Sequence, residues 1–386
     1  MRILYVGLNV PEATEYQVKD ISAAGNRFQN NMISALKELG HSVRNLSYIA
    51  VPMADTVADS IQQDVSYQYV RKHQGILGLI KAIFQFRSEL KKQVRECDVV
   101  IVYDLVYAWL SLPKIARKHQ KKTILVLADY SGEESFHSFG RKLYARLQKR
   151  SMRHYDVVVG LSEGLKSLLK PNQRFMLMEG GLKRELFDSL AHEPKTNQKE
   201  VTLVYSGLLN EVTGVMEFLK AMEQVMTPKS PEDSVNANGT YQVKCIITGK
   251  GDMETDISKM AEKYGWLTYM GHLTYDRYIE VIKHADVLVN PRDMRLPENH
   301  NNFPSKIIDY LTTGNQILST RFAGYEKFEN EISFTDIETL EAALAEIIEQ
   351  AKQMTTEEKQ KHYDHNREFV QQFLWENQLD RVLQLV

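Results

Sequence analysis

Eight short apolar runs, at residues 3–7, 99–103, 123–127, 157–161, 202–206, 243–248, 287–290 and 316–320, constrain this chain more than any other feature. Each run is continuous rather than alternating, the pattern of parallel strands buried on both faces. Helix-spaced segments such as 27–39 and 215–225 lie between them, so the expected class is α/β with two doubly wound sheets. A length of 386 residues also exceeds what one core usually supports, which favours two domains. The polar stretch 191–200, AHEPKTNQKE, reads as the linker between a first and a second series of βα units. Residues 227–242 read as an exposed loop, because a strand resumes at Val243. The end of the chain, 355–386, is helical in pattern, with Phe369, Phe373, Leu374, Leu379, Val382 and Leu383 available for packing.

Charge and cysteine content exclude several classes. A formal net charge of -2 argues against a chain built around nucleic-acid binding. Cys97 and Cys245 form no CxxC or Cys/His spacing, so neither a disulfide framework nor a structural zinc is expected, and a reducing cytoplasm fits. Met1 leads into the strand-like 2–6 without the layout of a signal peptide. The longest apolar window, 75–86, is broken by Lys81 and is too short to span a bilayer. The expected location is cytoplasmic, with peripheral contact at the inner face of a membrane left open.

Residues 299–314, NHNNFPSKIIDYLTTG, carry the most chemistry. Pro304 suits a first helical position, where its missing N–H costs nothing. The following N–H groups of Ser305 and Lys306 would then lack intrahelical partners and could face an anion. Lys306 adds positive charge there, and Asp309, three residues on, projects from the same face. Phosphate and ribose could be held side by side. Gly314 stands where a C′ glycine closes a helix. The same window also reads as an ordinary α/β helix with solvated charges. Residues 22–26, SAAGN, form a small-residue loop ahead of a helix whose apolar face is Phe28, Met32, Ala35, Leu36 and Leu39. Gly25 would let backbone approach a phosphate or sugar, although a structural turn explains the loop equally well and no GxGxxG spacing is present.

In order along the chain stand SAAGNRFQNNMISALKELGHSV, LADYSGEE, VVGLSEGLKSLL, GGLKRELF, LVYSGLLNEVTGVMEFLKAM, IITGKGD, YMGHLTYDRYIEVIKHADVLVNP and FPSKIIDYLTTGNQILST. This ordered set resembles retaining GT-B glycosyltransferases, and more narrowly the glycosyltransferase family 4 enzymes that build bacterial surface polysaccharides. The resemblance implies two Rossmann-like domains facing across a cleft. It places an acceptor domain at 1–190 and a nucleotide-sugar domain at 198–365, with a C-terminal helix at 366–386 crossing back onto the first. It implies donor contacts at Gly25, Gly207, Gly249, Gly271, His272, Leu273, Arg292, Glu298, Asn302, Phe303, Pro304, Ser305, Lys306 and Asp309, and catalytic roles for Lys306, Asp129 and Asn301.

Several positions depart from the family pattern. Family members carry two acidic residues eight apart in the FPSK-type segment. The second maps onto Asp309, while the first maps onto Asn301, with Glu298 just upstream; asparagine can hydrogen-bond a sugar but supplies no charge. The family's GRL…KG signature reads Gly207-Leu208-Leu209 and Thr213-Gly214 here, leaving Lys306 as the main mapped cation, with Arg292 and Arg295 as compensating candidates. Ala128 occupies the place of a frequent family histidine, and Asp129-Tyr130 fits a subgroup with an Asp-aromatic pattern. No Asp-any-Asp pair is present, in keeping with a metal-independent mechanism. The donor would be a UDP or GDP sugar with no further cofactor, and the acceptor a glycan, a lipid-linked sugar or a protein glycan. A non-catalytic GT-B partner subunit and a nucleotide-sugar epimerase are the alternative readings.

Two segments pose a separate choice. Residues 141–153, RKLYARLQKRSMR, and 75–94, GILGLIKAIFQFRSELKKQV, interleave basic and apolar side chains. Such helices can lie on an anionic membrane. They read equally as solvated outer helices of the first sheet, Leu79, Ile83, Phe86 and Leu90 packing inward.

Overall fold

The structure, a computed structural model, describes residues 1–11, 22–49, 67–71, 75–128, 130, 132–133, 136–161, 163–178, 180–191, 200–227, 242–296, 299, 304, 306–322 and 324–386. The chain divides into two compact units, Met1–Lys183 with Phe373–Val386, and Arg184–Gln372. The division falls ahead of 191–200, most of which lies outside the described residues, as does the loop at 228–241.

The first unit contains β1 (Arg2–Gly7), α1 (Ala23–Glu38), β2 (Ser42–Ile49), β3 (Tyr67–Arg71), α2 (Gly75–Glu96), β4 (Val99–Tyr103), α3 (Leu112–Lys118), β5 (Lys122–Leu127), α4 (Phe139–Met152), β6 (Val157–Gly160) and β7 (Arg174–Leu177). All strands are parallel, in the order β3-β2-β1-β4-β5-β6-β7. The continuous apolar runs follow from coverage on both sides. On one face Leu4, Val6, Val100, Val102 and Leu125 pack against Phe86 and Leu90 of α2, Leu112 and Ala116 of α3, and Met152 of α4. On the other, Ile3, Tyr5, Ile101 and Ile124 meet Met32 and Leu36 of α1.

The second unit runs α5 (Arg184–Ser189), β8 (Glu200–Ser206), α6 (Val215–Met226), β9 (Gln242–Thr248), α7 (Glu254–Lys263), β10 (Leu267–Tyr269), α8 (Tyr275–Lys283), β11 (Val287–Asn290), α9 (Lys306–Thr313), β12 (Gln316–Thr320), β13 (Ser333–Thr335), α10 (Leu340–Gln353) and α11 (Thr356–Val370). Its parallel sheet has the order β10-β9-β8-β11-β12-β13, the doubly wound order whose switch point lies between β8 and β11.

A last helix, α12 (Trp375–Leu383), belongs to the first unit. The chain enters it through a parallel bridge between Leu182 and Leu374, with Leu182 N donating to Phe373 O at 2.8 Å and Trp375 N donating to Leu182 O at 3.0 Å. Trp375 then lies flat over Gly181, where any Cβ would come within 2.1 Å of the indole, and meets Phe28 edge-on at 4.9 Å. Trp375, Leu379 and Val382 are buried against α1.

Candidate active site

At the carboxyl edge of the second sheet, the loops after β8, β9 and β10 lie side by side. Gly207 N donates to Thr248 O at 3.0 Å, Leu209 N to Lys250 O at 2.9 Å, and Gly249 N to Gly271 O at 2.9 Å. The approach is close enough that a Cβ on Gly249, whose φ is 137°, would fall 1.7 Å from Gly207 O. These loops wall a hollow of about 250 Å³, lined by Gly207, Leu208, Gly249, Lys250, His272 and Leu273 among others, with Tyr278 of α8 at its side. It lies over the carboxyl ends of β8, β9 and β10, on the β8 side of the β8/β11 switch point at which doubly wound sheets bind ligands.

Lys306 reaches this edge from the first residue of α9. Its Nζ lies 4.2 Å from the centre of the Tyr205 ring, and a Cβ added to Gly207 would stand 2.8 Å from it. Burial of the ammonium, and then the charge of Arg292, pull the Lys306 pKa down to about 7, although part of the residue stays exposed. Arg292, two residues after β11, donates from Nη1 to Asn299 Oδ1 at 3.3 Å, while its buried Nε makes no hydrogen bond among the described residues. Lys306 and Arg292 are thus neighbouring cations for which no described carboxylate forms an ion pair. Arg295 differs: it pairs with Asp293 of its own loop at 2.7 Å and with Glu338, just after β13, at 3.3 Å, so its charge is already matched by carboxylates.

Asp309 stands one turn along α9, and its Oδ2 accepts from the Tyr278 hydroxyl at 3.0 Å. Burial and then the Asp309 charge hold the Tyr278 phenol well above its ordinary range. Lys306 therefore meets the hollow at Gly207 and Asp309 meets it at Tyr278. The helix between is fixed at both ends. Tyr310 Oη accepts from Ser206 N at 3.1 Å, and Arg367 of α11 donates to Thr312 O at 2.9 Å. Gly314, with φ 72°, closes it. The helix begins at Lys306, so Pro304 precedes it instead of occupying its first position, and Pro304 O accepts from Ile307 N at 2.9 Å.

Other sequence candidates fall elsewhere. Thr213 Oγ1 donates to Leu208 O and Asn210 O within its own loop, while Leu208 itself is half exposed. Gly25 lies in the first unit, and its N–H is taken by Ser22 Oγ at 3.2 Å, a helix cap. Asp129, Glu298, Asn301, Asn302, Phe303 and Ser305 lie outside the described residues. Among the described residues no group of three or more His, Cys, Asp or Glu could hold a metal ion.

Sequence reasoning missed four positioning residues. Tyr205 and Tyr278 look like ordinary strand and helix aromatics, and only the fold brings them beside Lys306 and Asp309. Asn299 is buried and donates to Val212 O and Asp293 O, each at 2.8 Å, tying the loop after β11 to the one after β8. In the first unit Asp104 adopts φ 56°, uncommon for a non-glycine residue, and its Oδ1 accepts from Ala128 N at 2.9 Å, just before Asp129.

What the arrangement offers is a polyanion site: two buried-edge cations, closely packed glycine loops and a carboxylate about one helical turn away. Comparison with known proteins agrees. Residues 187–367 match the family model described as Glycosyl transferases group 1. No curated protein matches the chain. Among solved structures, it is similar to the N-terminal domain of Candida albicans trehalose-6-phosphate phosphatase, at TM-score 0.66 and 13% identity, covering 100% of this chain and 97% of that one. It is also similar to a structure described as trehalose-6-phosphate from E. coli bound with UDP-2-fluoro glucose, at TM-score 0.62 and 12% identity over 100% and 99%. Sucrose-phosphate synthase from Thermosynechococcus elongatus gives 0.63 and 13% over 100% and 98%. These structural likenesses concern the fold, the GT-B pairing of two Rossmann-like domains, and the matched domain marks the protein as a glycosyltransferase.

Proposed function

We propose that the hollow over the carboxyl ends of β8, β9 and β10, beside the switch point, holds the nucleoside diphosphate of a UDP or GDP sugar, and that the protein transfers the sugar with retention to a glycan, lipid-linked or protein-linked acceptor. The carrying observation is the Lys306–Arg292 pair, adjacent to Gly207 and without a described acidic partner. In this reading the two cations take the diphosphate and neutralise the charge that develops as the glycosidic bond breaks. Asp309, oriented by Tyr278, receives ribose hydroxyls. The backbone around Gly271, His272 and Leu273 faces the base. The leaving diphosphate oxygen takes the acceptor hydroxyl's proton on the same face of the sugar, so positioning carries the remaining barrier and no separate base is needed. Asn301 and Asp129 are assigned to the sugar and the acceptor through the family resemblance, and the narrower family 4, surface-polysaccharide assignment rests on the same motifs.

The donor preference is tested by titrating the protein with UDP, GDP and other nucleoside diphosphates and following hydrolysis of the corresponding sugars. Slow hydrolysis of one donor, lost in Lys306→Ala, is the expected result. Binding without turnover of any donor, or recovery of an isomerised nucleotide sugar, would overturn the transferase reading.

A further inference from the structure

Of the ten exposed large apolar side chains among the described residues, seven lie on two helices of the first unit. On α4, Phe139, Leu143 and Leu147 recur every four residues and are 78%, 45% and 45% exposed. On α2, Ile76, Leu77, Ile80 and Phe84 are 77%, 84%, 44% and 69% exposed. Neither row is a core face. The inward side of α4 is set by buried Ala145, Ser151 and Met152, with Tyr144 Oη donating to Leu105 O at 2.8 Å, and that of α2 by Ala82, Phe86, Leu90 and Val94. The apolar rows are therefore additional to the packing that holds each helix.

Charge accompanies them. Helix α4 has five basic residues and no acidic one, and α2 has five basic against two acidic, in a chain whose formal net charge is -2. Beside the α4 row is a hollow of about 330 Å³ lined by Arg146, Lys149, Arg150, Arg153, His154 and Lys170, in which Glu133 is the single acid among the described residues and pairs with Arg146 at 2.5 Å. Both helices cover the same face of the sheet, through Phe86 and Met152. As crossover helices of a parallel sheet they run against the strands, so their apolar amino-terminal halves sit toward the strands' carboxyl edge.

We propose that this face of the first unit docks on an anionic phospholipid surface, the α4 and α2 rows entering the headgroup–acyl boundary and the basic hollow taking headgroup phosphates. Apolar rows flanked by long basic side chains are the composition of interfacial helices, whose stems reach sideways to phosphates as the rings and leucines sink. Charge complementarity selects an acidic bilayer. Resting on the transferase reading above, docking there selects the lipid-linked sugar among its acceptors. No described helix is long and apolar enough to cross a membrane, so the contact is peripheral.

The test is co-sedimentation of the full chain with vesicles of phosphatidylcholine alone or mixed with phosphatidylglycerol, with UDP and GDP titrations of every protein in parallel. Binding to the anionic vesicles only, weakened by salt, is expected. The Leu143→Ser/Leu147→Ser and Lys149→Glu/Arg150→Glu variants should each lose at least about tenfold in vesicle affinity, on the scale of two partly buried leucines or two surface charges, and keep the wild-type nucleotide affinity. No vesicle binding by the wild type, or equal binding by both variants, overturns the proposal. So does a polyglutamate peptide that displaces the vesicles while the leucine changes have no effect, the result for an acidic protein partner. Vesicle binding without any nucleotide binding would keep the docking face and remove the donor assignment instead.

Discussion

The Lys306 ammonium lies 4.2 Å from the centre of the Tyr205 ring, where the electron-rich face partly compensates a cation that no described carboxylate pairs. With Arg292 beside it, the ligand-free site carries unspent positive charge at a protein edge. A diphosphate would supply what the protein withholds.

Replacing Lys306 with alanine should weaken nucleoside diphosphate binding by about 1.5–3 kcal/mol, the scale of a hydrogen bond to a charged group. Thermal stability should hold or rise, because a half-desolvated charge leaves with the side chain. Lys306→Arg should not restore affinity, since Gly207 leaves little space for a planar guanidinium. Calorimetric titration with UDP and GDP checks both.

The pH dependence has a defined sign. Unfolded, Lys306 keeps its proton up to its ordinary value of 10.5; folded and ligand-free, it keeps it only to about 7. Between those values the unfolded chain binds more protons, so this residue makes stability rise with pH across that window and contributes no slope below it. Lys306→Met should flatten that rise in denaturant titrations. A bound diphosphate restores the charged form, so binding at pH 8 should take up a proton, visible as a dependence of binding heat on buffer. No uptake at that pH would contradict the arrangement.

Gly207→Ala tests the contact from the other side. Its Cβ would stand 2.8 Å from Lys306 Nζ, the movable end of a flexible side chain. Because Gly207 has φ 159°, a conformation that side-chain-bearing residues rarely adopt, the fold should lose about 1–3 kcal/mol, and diphosphate affinity should fall by about tenfold as Lys306 is displaced.

Tyr278→Phe removes the hydroxyl donated to Asp309 at 3.0 Å. Unfolding free energy should drop by about 1–2 kcal/mol. Affinity for a nucleoside diphosphate should fall more than affinity for inorganic pyrophosphate, which has no ribose. An equal fall for both would detach Asp309 from the ribose.

Trp375→Ala should be the most damaging of these changes to stability, at about 3–5 kcal/mol, because it empties the space over Gly181 and leaves Phe28 without its edge contact. Denaturant unfolding of the full chain measures it.

The eight apolar runs coincide with β1, β4, β5 and β6 in one sheet and with β8, β9, β11 and β12 in the other, each a contiguous inner block. Those strands were legible because helices cover them on both sides. Flanking strands were harder to read: β2 shows Ser42 and Arg44 to solvent, and β13 is three residues long. In the site, Lys306, Asp309, Arg292 and Gly207 could be named in advance because cations, carboxylates and glycines declare their chemistry in a motif. Tyr205, Tyr278 and Asn299 could not, since their roles arise from partners distant in sequence. Arg295 and Arg292 look alike within PRDMR, and only the folded loop shows that Asp293 claims the former.

Because the Leu182–Leu374 bridge returns the chain to its starting unit, that unit is written in two instalments with the other inserted between them. During synthesis the groove on α1 and over Gly181 stays uncovered until Trp375 emerges, which happens only once residues 184–372 have been made. The host unit therefore cannot close until the whole inserted unit has been synthesised, and a chain arrested late in translation would present greasy, unsealed surface to chaperones.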